Sequence, residues 1–131
     1  MRRMRDTRLW TWHIAAGVVI LVLLALHMWM MHLNQTLPVQ AFNPAGEDPL
    51  DWANVVARGR QVIFVVGYVV LLGAAMFHGL YGLRNILFEL NPGEGGKKTI
   101  NVILLILGIG LFAVGTWAAI AARGVALAAG M

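Results

Sequence analysis

The chain contains three long apolar runs that are separated by short polar segments. The first run covers residues 14–31 and is interrupted only by His27, and the second covers residues 62–83 and is interrupted only by His78. The third run, residues 102–122, contains no ionisable side chain. An α-helix needs about 20 predominantly apolar residues to cross a bilayer, so this pattern predicts three membrane-spanning helices.

With their flanks, the predicted spans are residues 9–33, 61–90 and 100–122, within a single membrane domain that covers residues 1–131. The expected fold class is therefore an all-α integral membrane protein with three transmembrane helices. Between the first two spans, prolines and a glycine predict an irregular loop. Residues 51–56 are expected to form a short surface helix that leads into the second span.

The net charge of +4 could suggest a nucleic-acid partner. However, the Lys and Arg residues lie at the ends of the apolar runs, and this placement is typical of the charges that orient a membrane protein. The segments on the N-terminal side hold seven cations, namely Arg2, Arg3, Arg5, Arg8, Arg84, Lys97 and Lys98. The opposite side holds three, namely Arg58, Arg60 and Arg123. Because cytoplasmic loops carry the excess of cations, the N-terminus is predicted to be cytoplasmic.

Composition agrees with a membrane protein and limits the chemistry. The chain is 60% hydrophobic and 12% charged, whereas ordinary globular domains are about 45–50% apolar. It has no cysteine, which excludes a disulfide framework, a thiolate-bound iron–sulfur cluster and a Cys-based zinc site in this chain. Any metal chemistry therefore depends on histidine.

Two histidines, His27 and His78, lie deep in predicted spans. An ionisable residue inside a membrane is costly and is a functional-site hypothesis by default. No carboxylate or Lys accompanies them in the apolar runs, and a neutral imidazole that ligates haem iron fits this setting. The alternative for each is a histidine that hydrogen-bonds to the backbone of a neighbouring helix.

Small residues lie beside His78 at helical spacing, including Gly82 one turn later, and they leave room for a flat macrocycle. Arg84 could pair with a haem propionate, or it could be an ordinary anchor at the cytoplasmic boundary. In the first span, His13, Gly17 and His27 recur on one helical stripe that should face a partner helix. His13 could meet a quinone carbonyl, or it could be a solvated histidine at the membrane boundary.

The residues that follow His78, in the sequence HGLYGLRNILFE, resemble the second transmembrane helix of succinate dehydrogenase and fumarate reductase membrane anchors. That helix carries a haem-ligating His, then Gly, often Arg, and finally Asp, at the spacing at which this chain has His78, Gly82, Arg84 and Glu89. The family commonly has an Asp-Tyr pair where this chain has Glu89 and Leu90, so the tyrosine hydroxyl is absent.

The first span is also similar to this family, especially to small anchor subunits of the two-haem kind. The similarity lies in the segment WHIAAG, which contains His13 and Gly17, and in the segment ALHMW around His27. The family commonly has Arg or Ser where this chain has Ile14 and Ala16, residues that help to shape its quinone site.

The resemblance implies a subunit that forms a haem-binding bundle with a second hydrophobic anchor subunit in the inner (cytoplasmic) membrane. Together they would hold the flavoprotein and iron–sulfur subunits and relay electrons to membrane quinone, while this chain would not itself oxidise succinate. The resemblance implies two haems b shared with the partner anchor, with His78 as a ligand to the first iron and His27 to the second. The expected cofactor-binding residues are His78, His27, Arg84, Gly82, Gly17 and His13.

Two other functions are compatible with three apolar spans. One is a haem-free structural anchor that binds quinone or its partner subunits, with both deep histidines hydrogen-bonded to backbone. The other is a small transporter, although the spans lack the broken helices and paired charges that line a transport pathway.

Overall fold

The computed structural model describes residues 2–33, 43, 46 and 48–129, and this part of the chain is helical apart from short connections. Its elements are α1 (Arg2–Met28) with a π-helical turn (Trp29–Leu33), then α2 (Trp52–Arg60), α3 (Val62–Glu89) and α4 (Glu94–Ala128). The irregular loop predicted after the first span lies mostly outside the described residues. The surface helix predicted at residues 51–56 is present as α2.

Three segments are long and apolar enough to cross a membrane, which confirms the predicted all-α, three-span fold class. They are Thr7–His32, Val62–Glu89 and Glu94–Ala128, with mean hydropathies of 2.4, 2.1 and 2.4. None of the side chains of α3 is buried within this chain, and large apolar side chains are exposed along all three segments. Such surfaces are stable only where lipid or another subunit covers them.

Local sequence explains where the helices begin and end. The Asp51 carboxylate caps α2 by accepting a hydrogen bond from the Ala53 N–H at 3.2 Å. Gln61 is extended, with φ −81° and ψ 119°, and this single residue separates α2 from α3. After α3, Asn91 adopts a positive φ of 51° and Pro92 prevents the helix from continuing.

The long helices stand in a row with α3 in the middle. Helix α3 packs against α1 on one side and α4 on the other, and α1 and α4 make no close backbone contact in the described part of the chain. The chain therefore has two separate helix seams, α1–α3 and α3–α4.

Helix α4 extends beyond the predicted third span at both ends. Its 35 residues correspond to about 52 Å, which exceeds the roughly 30 Å hydrocarbon core of a bilayer. At its start, the Lys97 ammonium lies 3.1 Å from the Glu94 carboxylate, one turn apart. A helix need not end where the membrane ends. The ion pair between Lys97 and Glu94 stabilises the first turn of α4 outside the apolar run.

The end of α4 is held by α2. The Arg60 guanidinium donates from Nε to the carbonyl oxygen of Ala126 at 3.1 Å, which satisfies one of the last carbonyls of the helix. Next to it, Gly59 approaches α4 so closely that an added Cβ would lie 2.8 Å from the Cβ of Ala126. The contact between the two helices therefore requires a glycine at this position.

We predict that Gly59→Ala separates α2 from α4, because two Cβ atoms at this distance can be relieved only by a backbone shift. The expected cost is about 1–3 kcal/mol, the usual range for overpacking. The measurement is hydrogen exchange of the amides of α2, which should become faster. Gly124→Ala is the matched control, since a Cβ there meets nothing within 4 Å. Unchanged exchange in Gly59→Ala would contradict this packing.

Candidate functional site

Two of the predicted site residues meet at the seam between α1 and α3. The imidazole rings of His13 and His78 are stacked, with centroids 4.0 Å apart and planes inclined by 8°. A glycine makes this approach possible on α1, because an added Cβ at Gly17 would lie 3.1 Å from Cε1 of His78. On α3, an added Cβ at Gly82 would be in ordinary van der Waals contact with Cε1 of His13, at 3.5 Å. The sequence-predicted set His13, Gly17, His78 and Gly82 is thus one cluster, which we call the histidine seam.

A hydrogen bond to the backbone determines the orientation of the His78 ring. Its Nδ1 lies 3.0 Å from the carbonyl oxygen of His13. A carbonyl can only accept, so Nδ1 carries the proton and donates, and in the neutral ring Nε2 keeps its lone pair. Metal-ligating histidines commonly have this arrangement, in which one nitrogen donates to a carbonyl and the other faces the metal.

The second histidine of the seam carries an unsatisfied polar atom. Nδ1 of His13 is buried and has no hydrogen-bond partner among the described residues. The Tyr81 ring lies beside His13, with centroids 5.2 Å apart, and Phe77 stacks on Tyr81 at 5.8 Å. A buried polar nitrogen without a partner is uncommon, and Thr116 Oγ1 and Arg123 Nε are the other such atoms among the described residues.

Arg84 lies at the other seam. Its guanidinium donates from Nε to the Asn101 side-chain oxygen of α4 at 2.7 Å and from Nη1 to the Asn85 side-chain oxygen at 3.2 Å. The cation also lies over the Phe88 ring, 4.2 Å from its centroid, and 5.8 Å from that of Tyr81. Arg84 therefore joins α3 to α4, and its contact with a haem propionate stays a prediction.

Asn101 and the groove next to it were not predicted from the sequence. Asn101 immediately precedes the apolar run of the third span. The only sequence signal for it is that it follows Lys97 by four residues, which places both polar side chains on one face of a helix. From Arg84 and Asn101 an apolar groove of about 470 Å³ follows the α3–α4 seam past Gly108 and Gly73.

His27 is separate from the histidine seam. It lies ten residues beyond Gly17, about 15 Å along α1, and its side chain is exposed. It borders an apolar groove of about 430 Å³ between α1 and α3, which Met30, Gly67 and Leu71 also line. Both deep histidines thus belong to the α1–α3 side of the molecule, at depths too different for one iron.

Three apolar helices with a histidine pair between two of them define an integral, multi-pass membrane subunit. Residues 1–117 match the family described as "Succinate dehydrogenase/Fumarate reductase transmembrane subunit", and the chain belongs to this family. It is similar to a succinate dehydrogenase hydrophobic membrane anchor subunit of Archaeoglobus fulgidus, at 29% identity over 94 residues, or 72% of this chain and 71% of that protein. No solved structure gives a significant match. The family resemblance inferred from the His78 segment is confirmed.

We predict that Gly17→Val displaces the His78 ring, because even the first added carbon would lie 3.1 Å from Cε1 and 3.3 Å from Nδ1 of that ring. The measurement is ¹⁵N NMR of imidazole-labelled chain in lipid. In the unaltered chain His78 should give the spectrum of the Nδ1-protonated form, and Gly17→Val should change it. Gly79→Val is the control on the neighbouring residue, where a Cβ meets nothing within 4 Å. An unchanged His78 spectrum in Gly17→Val would contradict the close packing.

Proposed function

We propose that this membrane anchor subunit of a succinate dehydrogenase or fumarate reductase binds haem b through His78 and takes part in electron transfer to quinone. One observation carries the proposal: the hydrogen bond from Nδ1 of His78 to the His13 carbonyl uses one ring nitrogen and leaves Nε2 as the ligand atom. The family pattern has a haem-ligating His at the same position.

The other residues of the histidine seam leave one polar atom for a bound molecule. Gly17 and Gly82 project no side chain toward the rings of His78 and His13, and those rings occupy the space. The buried Nδ1 of His13 has no hydrogen-bond partner among the described residues and is available to a polar group of a bound molecule. When bound, haem b supplies a one-electron carrier in the membrane.

In this proposal each residue has a distinct task. His78 would hold the iron, the His13 carbonyl keeps the proton on Nδ1 of His78, and Gly17 allows the His78 ring to lie against α1. His13 is also the candidate for a quinone carbonyl. Arg84 is the candidate for a propionate, but binding one would require its guanidinium to share or exchange the Asn101 contact.

Other subunits complete the function. A second hydrophobic anchor subunit would supply the other ligand to the iron. An iron–sulfur subunit and a flavoprotein would dock at the cytoplasmic face, the side predicted for the N-terminus and for the loop between α3 and α4. The complex would reside in the inner (cytoplasmic) membrane.

A second haem b is proposed at His27. The groove beside His27 is apolar and lies between α1 and α3, and Gly67 leaves space on the α3 side. The separation from the histidine seam, about 15 Å along α1, suits two haems stacked across the membrane and excludes one iron shared by both histidines.

A haem-free anchor is the second candidate function. The hydrogen bond between His78 and the His13 carbonyl favours it in one respect, because that bond already satisfies one imidazole nitrogen without any cofactor. Nε2 of His78 would ligate iron in a haem-binding anchor but not in a haem-free anchor. The haem content of the complex therefore distinguishes the two functions.

We predict that His78→Ala abolishes the absorption of the haem in the cytoplasmic half of the assembled complex, because the iron would lose its ligand in this subunit. His32→Ala is the matched control, since His32 is exposed at the far end of the first span. His78→Gln, whose amide can still donate to the His13 carbonyl, tests the same point if the alanine variant assembles poorly. Full haem content in an assembled His78→Ala complex would refute the proposal.

We predict two haems per flavin in the purified complex, and one in His27→Ala, because the second iron would lose its ligand. The measurement is the ratio of extracted haem to flavin. A ratio of one in the unaltered complex would leave His27 as a structural residue and would contradict the second site.

We predict that a reporter active only outside the cytoplasm is active when it is fused after the C-terminus. The reason is the excess of cations at the N-terminal side, seven against three, combined with three spans. The control is the same reporter in the loop between α3 and α4, where it should be inactive. The reversed result would move the docking face for the soluble subunits to the other side.

A further inference from the structure

Helix α2 and the two residues before it, Leu50 and Asp51, have an unusual distribution of polar and apolar side chains. The least exposed side chains of α2 are Asn54, at 0%, and Arg58, at 4%. Trp52 is 61% exposed, Val55 is 40% exposed, and Leu50, just before the helix, is 74% exposed. A short surface helix in water normally buries its apolar side chains and exposes its polar ones. Here, apart from the buried Val56 and the exposed Arg60, the order is reversed.

Hydrogen bonds hold the polar side of α2 in this orientation. The Asn54 amide donates to the carbonyl oxygens of Gly46 at 3.1 Å and Asp48 at 2.7 Å. The Arg58 guanidinium donates to the Asn43 side-chain oxygen and to the carbonyl oxygen of Pro49. Because buried donors with partners resist rotation of the helix, the apolar side chains remain directed outward.

The position of α2 indicates what surrounds its exposed side. One residue, Gln61, separates it from the membrane-spanning helix α3, and Gly59 and Arg60 contact Ala126 near the end of α4. The adjoining turns of the spanning helices are also apolar and exposed. These residues are Val62, Ile63, Val125 and Leu127, at 56%, 70%, 58% and 45% exposure.

Helix lengths give the depth of α2. The apolar run of α4 ends at residue 122 and corresponds to about 30 Å, the thickness of the hydrocarbon core. Ala126 is four residues later, about 6 Å further along the helix. The interfacial layer on each side of a bilayer has about that thickness. Helix α2 therefore lies at the level of the lipid headgroups.

We propose that α2 is an interfacial helix whose exposed side chains, Leu50, Trp52 and Val55, contact the phospholipids of the leaflet at the C-terminal end of the bundle. Trp is enriched at this depth because its ring is apolar and its N–H is polar. The carboxylates of Asp48 and Asp51 accept backbone N–H groups of Leu50 and Ala53, which places the charges at the start of the helix. The helix thus anchors the α2–α4 end of the subunit at the membrane surface.

Site-specific photocrosslinking in the assembled complex tests this proposal. The chain has no cysteine, so a single Cys in this subunit provides its one site for a benzophenone maleimide. The variants are Trp52→Cys and Val55→Cys, with Asp48→Cys as the control on the polar side. After irradiation in phospholipid vesicles of known composition, mass spectrometry of this subunit identifies the adduct.

The proposal expects phospholipid adducts at positions 52 and 55, several-fold more abundant than at position 48. Val55→Cys keeps the test decisive if Trp52→Cys assembles poorly. A crosslink from both positions to another protein subunit would overturn the proposal, because a partner would then cover this side. Absence of any adduct, or equal lipid labelling at position 48, would overturn it as well, because α2 would then be in water.

Discussion

The close approach of α1 to α3 at Gly17 holds the histidine seam together. Without a side chain at Gly17, the His78 ring can lie against α1 and reach the carbonyl of His13. Gly82 lies beside the His13 ring, which stacks on His78, and an added Cβ at Gly82 would be in ordinary van der Waals contact with that ring, at 3.5 Å. Helix packing in lipid lacks a hydrophobic driving force between helices, so small residues and interhelical hydrogen bonds determine where helices meet.

Helix α3 joins two seams of different chemical character. On the α1 side it carries the histidine seam, with a proton held on Nδ1 of His78. On the α4 side it carries Arg84, which is bound to Asn101 and lies over the Phe88 ring. Arg84 and Asn101 lie at the edges of the apolar runs of α3 and α4, whereas His78 lies within the run of α3. Helix α3 therefore carries its cation and its deep histidine on different seams.

Much of the fold could be predicted from the sequence, because the number of apolar residues needed to cross a bilayer is a physical length. Helix α2 could also be predicted from the sequence, because Asp51 is a favourable N-cap residue and Pro49 precedes it. The pairing of His13 with His78 was harder to predict. Helical spacing places Gly17 and His13 on one stripe, but it does not indicate which helix that stripe meets. The direction of Arg84 depends on Asn101, 17 residues away on another helix, and no local pattern encodes that contact.

Ligation of a haem by His78 requires that the complex contain haem, and the reduced-minus-oxidised absorption spectrum of the purified, unaltered complex measures this. The complex is first shown to be assembled by its flavin content. We expect the absorption bands of a low-spin b-type haem in the difference spectrum. A fully assembled complex without a haem band would exclude His78 as a haem ligand and would leave the histidine seam as a structural contact of a haem-free anchor.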